Sequence, residues 1–177
     1  MIDTAQLVAK LKTLESLAVI PRVASTNLIA RRVLSADDTS VRLYNSSNET
    51  ALSTVGVARI ILQPLSAELE ERIPRGRAGV LLSSKDFAEA EFKGLSDGQI
   101  KMSSILFGLK TYDPGQVLAV VLRDPKPAPA QYELRTRDES HFLVNTLQID
   151  KGAILLQDPA LTGFSISSAE LLELKRR

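Results

Sequence analysis

The sequence predicts an α+β fold, in which N-terminal helices precede a mostly antiparallel, β-rich body that forms a sheet or a partly open barrel. The first 34 residues carry apolar side chains at helical spacing behind helix-capping residues. The rest of the chain consists of short alternating or β-branched runs separated by turn residues, which is typical of strands in hairpins. With 44% apolar and 24% charged residues among 177, the chain resembles an ordinary globular protein that can bury a core.

Two helices are predicted at the N-terminus. The first covers residues 4–17, where Asp3 can cap the helix and leucines recur along one face. An extended link follows over residues 18–24. The second helix covers residues 26–34 with Ser25 as its cap. These two helices supply the α part of the predicted fold class.

Strands dominate the predicted middle of the chain. The predicted elements are a strand at 41–44, a strand at 55–62, a short helix at 66–72 capped by Ser66, and a strand at 80–82. Residues 84–109 leave two alternatives open, because their apolar residues fit either a helix or a half-buried strand. Alternation over 99–107 favours a strand there.

The last third is the most β-like part of the sequence. A continuous apolar run predicts a strand at 116–123 that is buried on both faces. Further strands are expected at 132–136, 142–147, 153–156 and 164–167, and a helical turn at 169–174. No internal repeat is visible. We expect one domain over residues 1–177, with a weak boundary near 64–74 as the alternative.

Composition excludes several chemistries. The chain has no cysteine, no tryptophan and one histidine, so thiolate metal sites and cysteine nucleophiles are absent. His141 has no second histidine to share a metal, and a surface turn residue is the expected reading. Lysine and arginine number 22 against 21 aspartates and glutamates, so nucleic-acid binding is not indicated by charge. We expect no cofactor.

Targeting signals are also missing from the pattern. The N-terminus lacks a basic segment followed by an apolar one, and no window approaches the roughly 18 apolar residues of a spanning helix. The expectation is a soluble, cytoplasmic protein without a membrane partner.

Three functions remain open, and the first is a non-enzymatic structural or interaction subunit of a larger protein assembly. Few residue types suited to catalysis, a balanced charge and amphipathic elements favour protein partners or self-association. A short helix before a β-rich body resembles the small head-completion and tail-terminator proteins of phages, which implies a component of a virus particle.

The second function is a magnesium-dependent nuclease. Asp158 follows a predicted strand, and Glu173-Leu174-Lys175 lies 15 residues downstream. An acidic residue followed by Glu-x-Lys resembles the metal-binding signature of the restriction-endonuclease-like nucleases. The resemblance implies that Asp158 and Glu173 hold magnesium and that Lys175 orients or activates water.

The third function is a small-ligand or anion-binding domain. Arg75-Gly76-Arg77-Ala78-Gly79 forms a predicted loop whose amides and two guanidinium groups can surround an anion. The loop lacks the Lys-Ser/Thr of a P-loop, so a nucleotide site is not indicated.

Overall fold

The computed structural model describes residues 17–21, 27–30, 32–44, 49–126, 129–158, 161 and 163–177. Over these residues it contains eighteen strands, one α-helix and two 3-10 turns, and every strand pairing is antiparallel. The predicted α+β class is therefore wrong, because the described chain is nearly all-β. None of the helices in the described ranges is long and apolar enough to span a bilayer.

The strands form four sheets. In chain order they are β1 (Leu17–Pro21), β2 (Leu28–Ala30), β3 (Arg32–Ala36), β4 (Ser40–Tyr44), β5 (Glu49–Ser53), β6 (Val57–Ile61), β7 (Gly79–Leu82), β8 (Phe87–Glu89), β9 (Glu91–Ser96), β10 (Gln99–Ser104), β11 (Gly108–Tyr112), β12 (Val117–Val121), β13 (Tyr132–Thr136), β14 (His141–Val144), β15 (Leu147–Asp150), β16 (Ala153–Leu156), β17 (Ser165–Ser167) and β18 (Leu171–Arg176). Sheet 1 has the order β2-β1-β6-β12-β7-β8, and sheet 2 the order β11-β10-β9-β3-β4-β5. Sheet 3 is β14-β13-β18, and sheet 4 is β15-β16-β17.

The second predicted helix, at 26–34, is replaced by β2 and β3. Leu28 and Ala30 are buried with a half-buried residue between them, which is the period of a strand. A bulge in β3 between Val33 and Ser35 shifts that period, so the buried positions also match helical spacing. The sequence pattern was therefore ambiguous at this point.

Of the two helical segments predicted near the chain ends, one is not described by the structure and the other is wrong. The predicted helix at 4–17 lies outside the described residues, except that Leu17 begins β1. The predicted helical turn at 169–174 is wrong, because β18 pairs there with β13. Cross-strand pairing of an exposed segment with a buried neighbour outweighs its local helical preference. The resemblance to phage proteins rested on a short helix before the β body; the helix at 26–34 is replaced by strands, and the one at 4–17 lies outside the described residues.

Several predicted elements are confirmed. The short helix at 66–72 is α1 (Ala67–Glu71), and the Ser66 hydroxyl accepts a hydrogen bond from the amide of Leu69 at 3.3 Å. All five residues of β12 are buried. The ambiguous stretch 84–109 forms β8 to β10 and the start of β11, and the predicted strand at 99–107 ends at Ser104.

A repeated unit, which the sequence did not reveal, organises the first two sheets. Strands β1 to β6 and strands β7 to β12 follow the same plan. Each unit has a hairpin, a three-stranded meander, a 3-10 turn and a closing strand. The two 3-10 turns, Thr54–Gly56 and Pro114–Gln116, begin 60 positions apart. Each sheet takes three strands from each unit.

Strand pairing is symmetric between the two units. In sheet 1, Ile60 pairs with Val120, its counterpart in the second unit. The amides of Leu62 and Leu122 donate to the carbonyl oxygens of Leu118 and Ala58, each at 2.9 Å. In sheet 2, β3 meets β9 at another pair of counterparts, Ala36 and Leu95. An approximate two-fold rotation therefore relates the units.

One apolar cluster joins all four sheets. It includes residues from Leu28 to Ile166, on both sides of the 64–74 segment. A second, smaller cluster lies on the other face of sheet 1, where Leu65 and Leu69 pack against it from the α1 segment. Strand β12 contributes to both clusters, which explains its burial on two faces.

Candidate functional site

The residues of the predicted nuclease site are only partly brought together. Glu173 and Lys175 lie two positions apart on β18, with Lys175 Nζ 2.8 Å from Glu173 Oε1. Glu173 Oε2 also lies 4.0 Å from Arg135 Nε. Asp158 is 6% exposed and occupies the turn after β16, where its carbonyl oxygen accepts the amide of Leu161. Across the described ranges, no three histidine, aspartate or glutamate side chains form a group that could hold a metal ion.

His141 lies at the start of β14, where it is half-buried rather than part of a surface turn. Its Nε2 is 3.0 Å from Glu133 Oε1 on the neighbouring strand β13. This hydrogen bond is the main cause that lowers the pKa of Glu133; burial opposes it, and Arg135 adds to it. The backbone of His141 also exchanges two hydrogen bonds with Asn27. These two backbone hydrogen bonds tie sheet 3 to the segment before β2.

The predicted anion loop binds carboxylates of the protein itself. The amide of Gly76 donates a 2.7 Å hydrogen bond to Asp124, and Arg77 Nη1 lies 2.8 Å from Glu89 Oε1. Two of the groups expected to hold an external anion are thus occupied. Arg75, the third, lines a separate cleft.

That cleft has a volume of about 520 Å³ and lies between α1 and sheet 1. Two arginines, Arg59 and Arg75, and two glutamates, Glu70 and Glu71, line it. Arg59 Nε is buried and has no hydrogen-bond partner. Because an unpaired buried donor is costly, this atom marks a position that an acceptor could fill.

Within the described part of the chain, the most exposed large apolar side chains lie at the end of the β10–β11 hairpin. Ile105, Leu106 and Phe107 form the turn between the strands, and each is at least 80% exposed. Leu109, the second residue of β11, is 69% exposed. Single exposed apolar residues are ordinary, but four of them at one end of a single hairpin are typical of an interaction site. We call these four residues the apolar hairpin end.

The repeated unit shows that this hairpin does not need apolar residues to fold. The counterpart of β10–β11 in the first unit is the β4–β5 hairpin, which has the same pairing of strands. Its connecting residues, 45–48, are Asn-Ser-Ser-Asn. The sequence between the paired strands is therefore polar in the first unit and apolar in the second.

Positive charge flanks the apolar hairpin end. Lys101 and Lys110 are exposed on β10 and β11, and Lys110 Nζ lies 4.9 Å from the centroid of the Tyr112 ring. No acidic residue occurs in the sequence from 99 to 112. The hairpin thus has an apolar end and positively charged lysines on the two strands that lead to it.

A pocket with the opposite charge lies at the other edge of sheet 2. Its volume is about 490 Å³, and residues of β5, sheet 3 and sheet 4 line it. The carboxylates of Glu49, Asp138 and Glu170 line this pocket, and no lysine or arginine does so among the described residues. Phe142 and Phe164 contribute its apolar part, with ring centroids 5.4 Å apart. We call it the acidic pocket.

Sequence reasoning assigned residues 99–107 to a strand and so missed the apolar hairpin end. A signal was present, because Ile105, Leu106 and Phe107 break the alternation of β10 and precede Gly108. Three consecutive apolar residues before a glycine fit a turn better than a half-buried strand. Gly108, the first residue of β11, has a φ of 67°, a left-handed conformation that glycine adopts readily where a turn ends.

Comparison of this chain with protein families, with curated proteins and with solved structures finds no match.

Proposed function

We propose that the protein is a non-enzymatic interaction subunit of a larger protein assembly, and that it docks through the apolar hairpin end. The observation that carries this proposal is the near-complete exposure of Ile105, Leu106 and Phe107 at the end of a two-stranded hairpin. Water contact with such side chains is unfavourable, and a partner surface would remove it.

The free energy gained by burying these three side chains is enough for one anchoring contact but not for a whole interface. Burying each large apolar side chain contributes about 1.5–3 kcal/mol, so three contribute roughly 4.5–9 kcal/mol before costs. Association itself costs about 4–15 kcal/mol. A stable complex therefore needs further contacts, and the lysines beside the hairpin end are placed to supply them.

Site-specific photo-cross-linking tests the proposal directly. A photoreactive residue replaces Phe107 in the full chain, which is expressed in its own cells and irradiated. We expect discrete protein adducts. The matched control places the same group at Glu68, whose side chain is 72% exposed on α1, and should give none. Adducts with lipid alone, or the same adducts from both positions, would contradict the proposal.

We propose binding of a small anion in the cleft between α1 and sheet 1 as a second candidate function. The unpaired Nε of Arg59 favours it, and Arg75 supplies a second cation to the same cleft. Glu70 and Glu71 oppose it, since they balance that charge. Inorganic phosphate should raise the melting temperature of the wild-type protein and leave that of Arg59→Met unchanged. Equal shifts for both proteins, or none, would contradict this function.

A further inference from the structure

We propose that the partner of the apolar hairpin end is a second copy of this chain, which receives it in the acidic pocket. This inference rests on the proposed function, and it adds the identity of the partner and the surface used. The two surfaces are an exposed apolar turn and a concavity lined by three acidic residues, both among the described residues.

Charge complementarity is the first argument. Lys101 and Lys110 flank the hairpin end, and nothing acidic occurs on that hairpin. The acidic pocket presents Glu49, Asp138 and Glu170. Arg42 pairs with Glu49, and Oδ1 of Asp138 accepts hydrogen bonds from the Thr136 hydroxyl and the Ser140 amide. Glu170 and the second carboxylate oxygen of Asp138 are left to face an incoming cation. Two lysines would thus meet two carboxylates across the interface.

The lining of the pocket is the second argument. Its apolar part includes Leu28, Phe142, Phe164 and Ile166, and these residues belong to the main core cluster. An aromatic and two aliphatic side chains from the hairpin end would extend that core outward. The volume of about 490 Å³ is large enough for a ligand-sized group of side chains.

The positions of the two surfaces show that a chain cannot dock with itself. Strand β11 is at one edge of sheet 2, and β5, which lines the pocket, is at the other edge. Five inter-strand spacings of about 4.8 Å separate these edges by roughly 24 Å. Docking between copies therefore joins two different surfaces, the hairpin end of one copy and the pocket of another. Such a contact closes into a reciprocal pair or a larger ring, or it builds a filament.

An anionic lipid surface is the competing partner, because lysines around apolar residues also suit a membrane interface. It would leave the acidic pocket, at the opposite edge of sheet 2, without a role. The complementary pocket on the same chain therefore favours a second copy.

Complementation between two blocked variants tests the inference with the purified full chain. Phe107→Asp removes the hairpin anchor, and Glu170→Lys reverses a pocket charge. Sedimentation velocity over a range of concentrations should show oligomers for the wild type, and each variant alone should associate at least about tenfold more weakly. An equimolar mixture should form a dimer and nothing larger, since one intact hairpin end meets one intact pocket. Glu68→Lys on α1 is the matched control and should associate like the wild type.

Each other outcome overturns the inference. A wild type that stays monomeric at every concentration excludes a second copy, while protein adducts at position 107 would still support the proposed function. Association that survives Glu170→Lys excludes the acidic pocket and indicates contact between two hairpin ends. Binding of the wild type to phosphatidylserine vesicles without self-association identifies a lipid partner and contradicts both proposals. Circular dichroism and the melting temperature establish that each variant is folded.

Discussion

Truncating two phenylalanines to alanine distinguishes the exposed hairpin from the core. Phe107 is 80% exposed, so Phe107→Ala should change the free energy of unfolding by no more than about 0.5 kcal/mol. Phe142 is 1% exposed and packs against Phe164, so Phe142→Ala should cost about 3–5 kcal/mol. At about 2–4 °C per kcal/mol for a chain of this size, the second change lowers the melting temperature by roughly 6–20 °C.

Urea unfolding followed by circular dichroism measures both changes. The protein must be dilute, because association stabilises the folded state and would add to the apparent effect of Phe107→Ala. A loss of more than about 1 kcal/mol for Phe107→Ala in dilute solution would show that this side chain packs within the monomer. The hairpin end would then not be a free surface, and the observation behind the proposed function would fail.

Three further predictions concern the body of the protein. Gly79→Ala should destabilise the fold by about 1–3 kcal/mol or more in urea unfolding, because its Cβ would lie 2.2 Å from a carbonyl oxygen of the facing strand. Gly115→Ala, with nothing within 4 Å of the new Cβ, is the control and should be nearly neutral. The pKa of Glu133 is lowered in the folded state, so the stability it adds is present above pH 4.5 and is lost as the pH falls below that value. Glu133→Gln should weaken this acid dependence in unfolding measured from pH 3 to 7, and an unchanged pH profile would exclude the hydrogen bond with His141 as its cause. Arg59→Met should leave the melting temperature unchanged or raise it, since it removes a buried unpaired donor, and a clear decrease would show that the guanidinium is bonded.

Strands with strict alternation or continuous burial were predictable from the sequence. Residues 117–121 are wholly apolar, and 132–136 alternate, so local pattern and tertiary environment agree. The capped helix at 67–71 was predictable for the same reason, because Ser66 supplies a local hydrogen bond that needs no tertiary partner.

The error at residues 26–34 has a physical origin in the bulge of β3. One extra residue in a strand moves later side chains to the opposite face, and the resulting spacing imitates a helix. A matching bulge in β9, opposite the step from Lys101 to Met102, made residues 84–109 ambiguous as well. Bulges depend on the partner strand, which local periodicity cannot reveal.

The repeated unit escaped sequence reasoning because the two copies preserve a pattern rather than residues. Segments 33–43 and 92–102 match in their alternation of core and surface positions, yet Asp38 and Asp97 are their one identical pair. Burial constrains the size and polarity of a side chain more than its identity. The apolar hairpin end was missed for the same reason. Ile105, Leu106 and Phe107 stand out as a binding surface only when they are compared with the polar residues at 45–48 of the first unit.

The approximate two-fold rotation has a consequence for valency. Two identical units joined by the same β6–β12 and β3–β9 seams would carry two equivalent hairpin ends, and each such pair would offer its neighbours the same element twice. Joining the units in one chain allows their sequences to differ, so one end can be apolar and the other polar. Each molecule then has a single apolar hairpin end. Its backbone is nearly two-fold symmetric, but its binding surfaces are not.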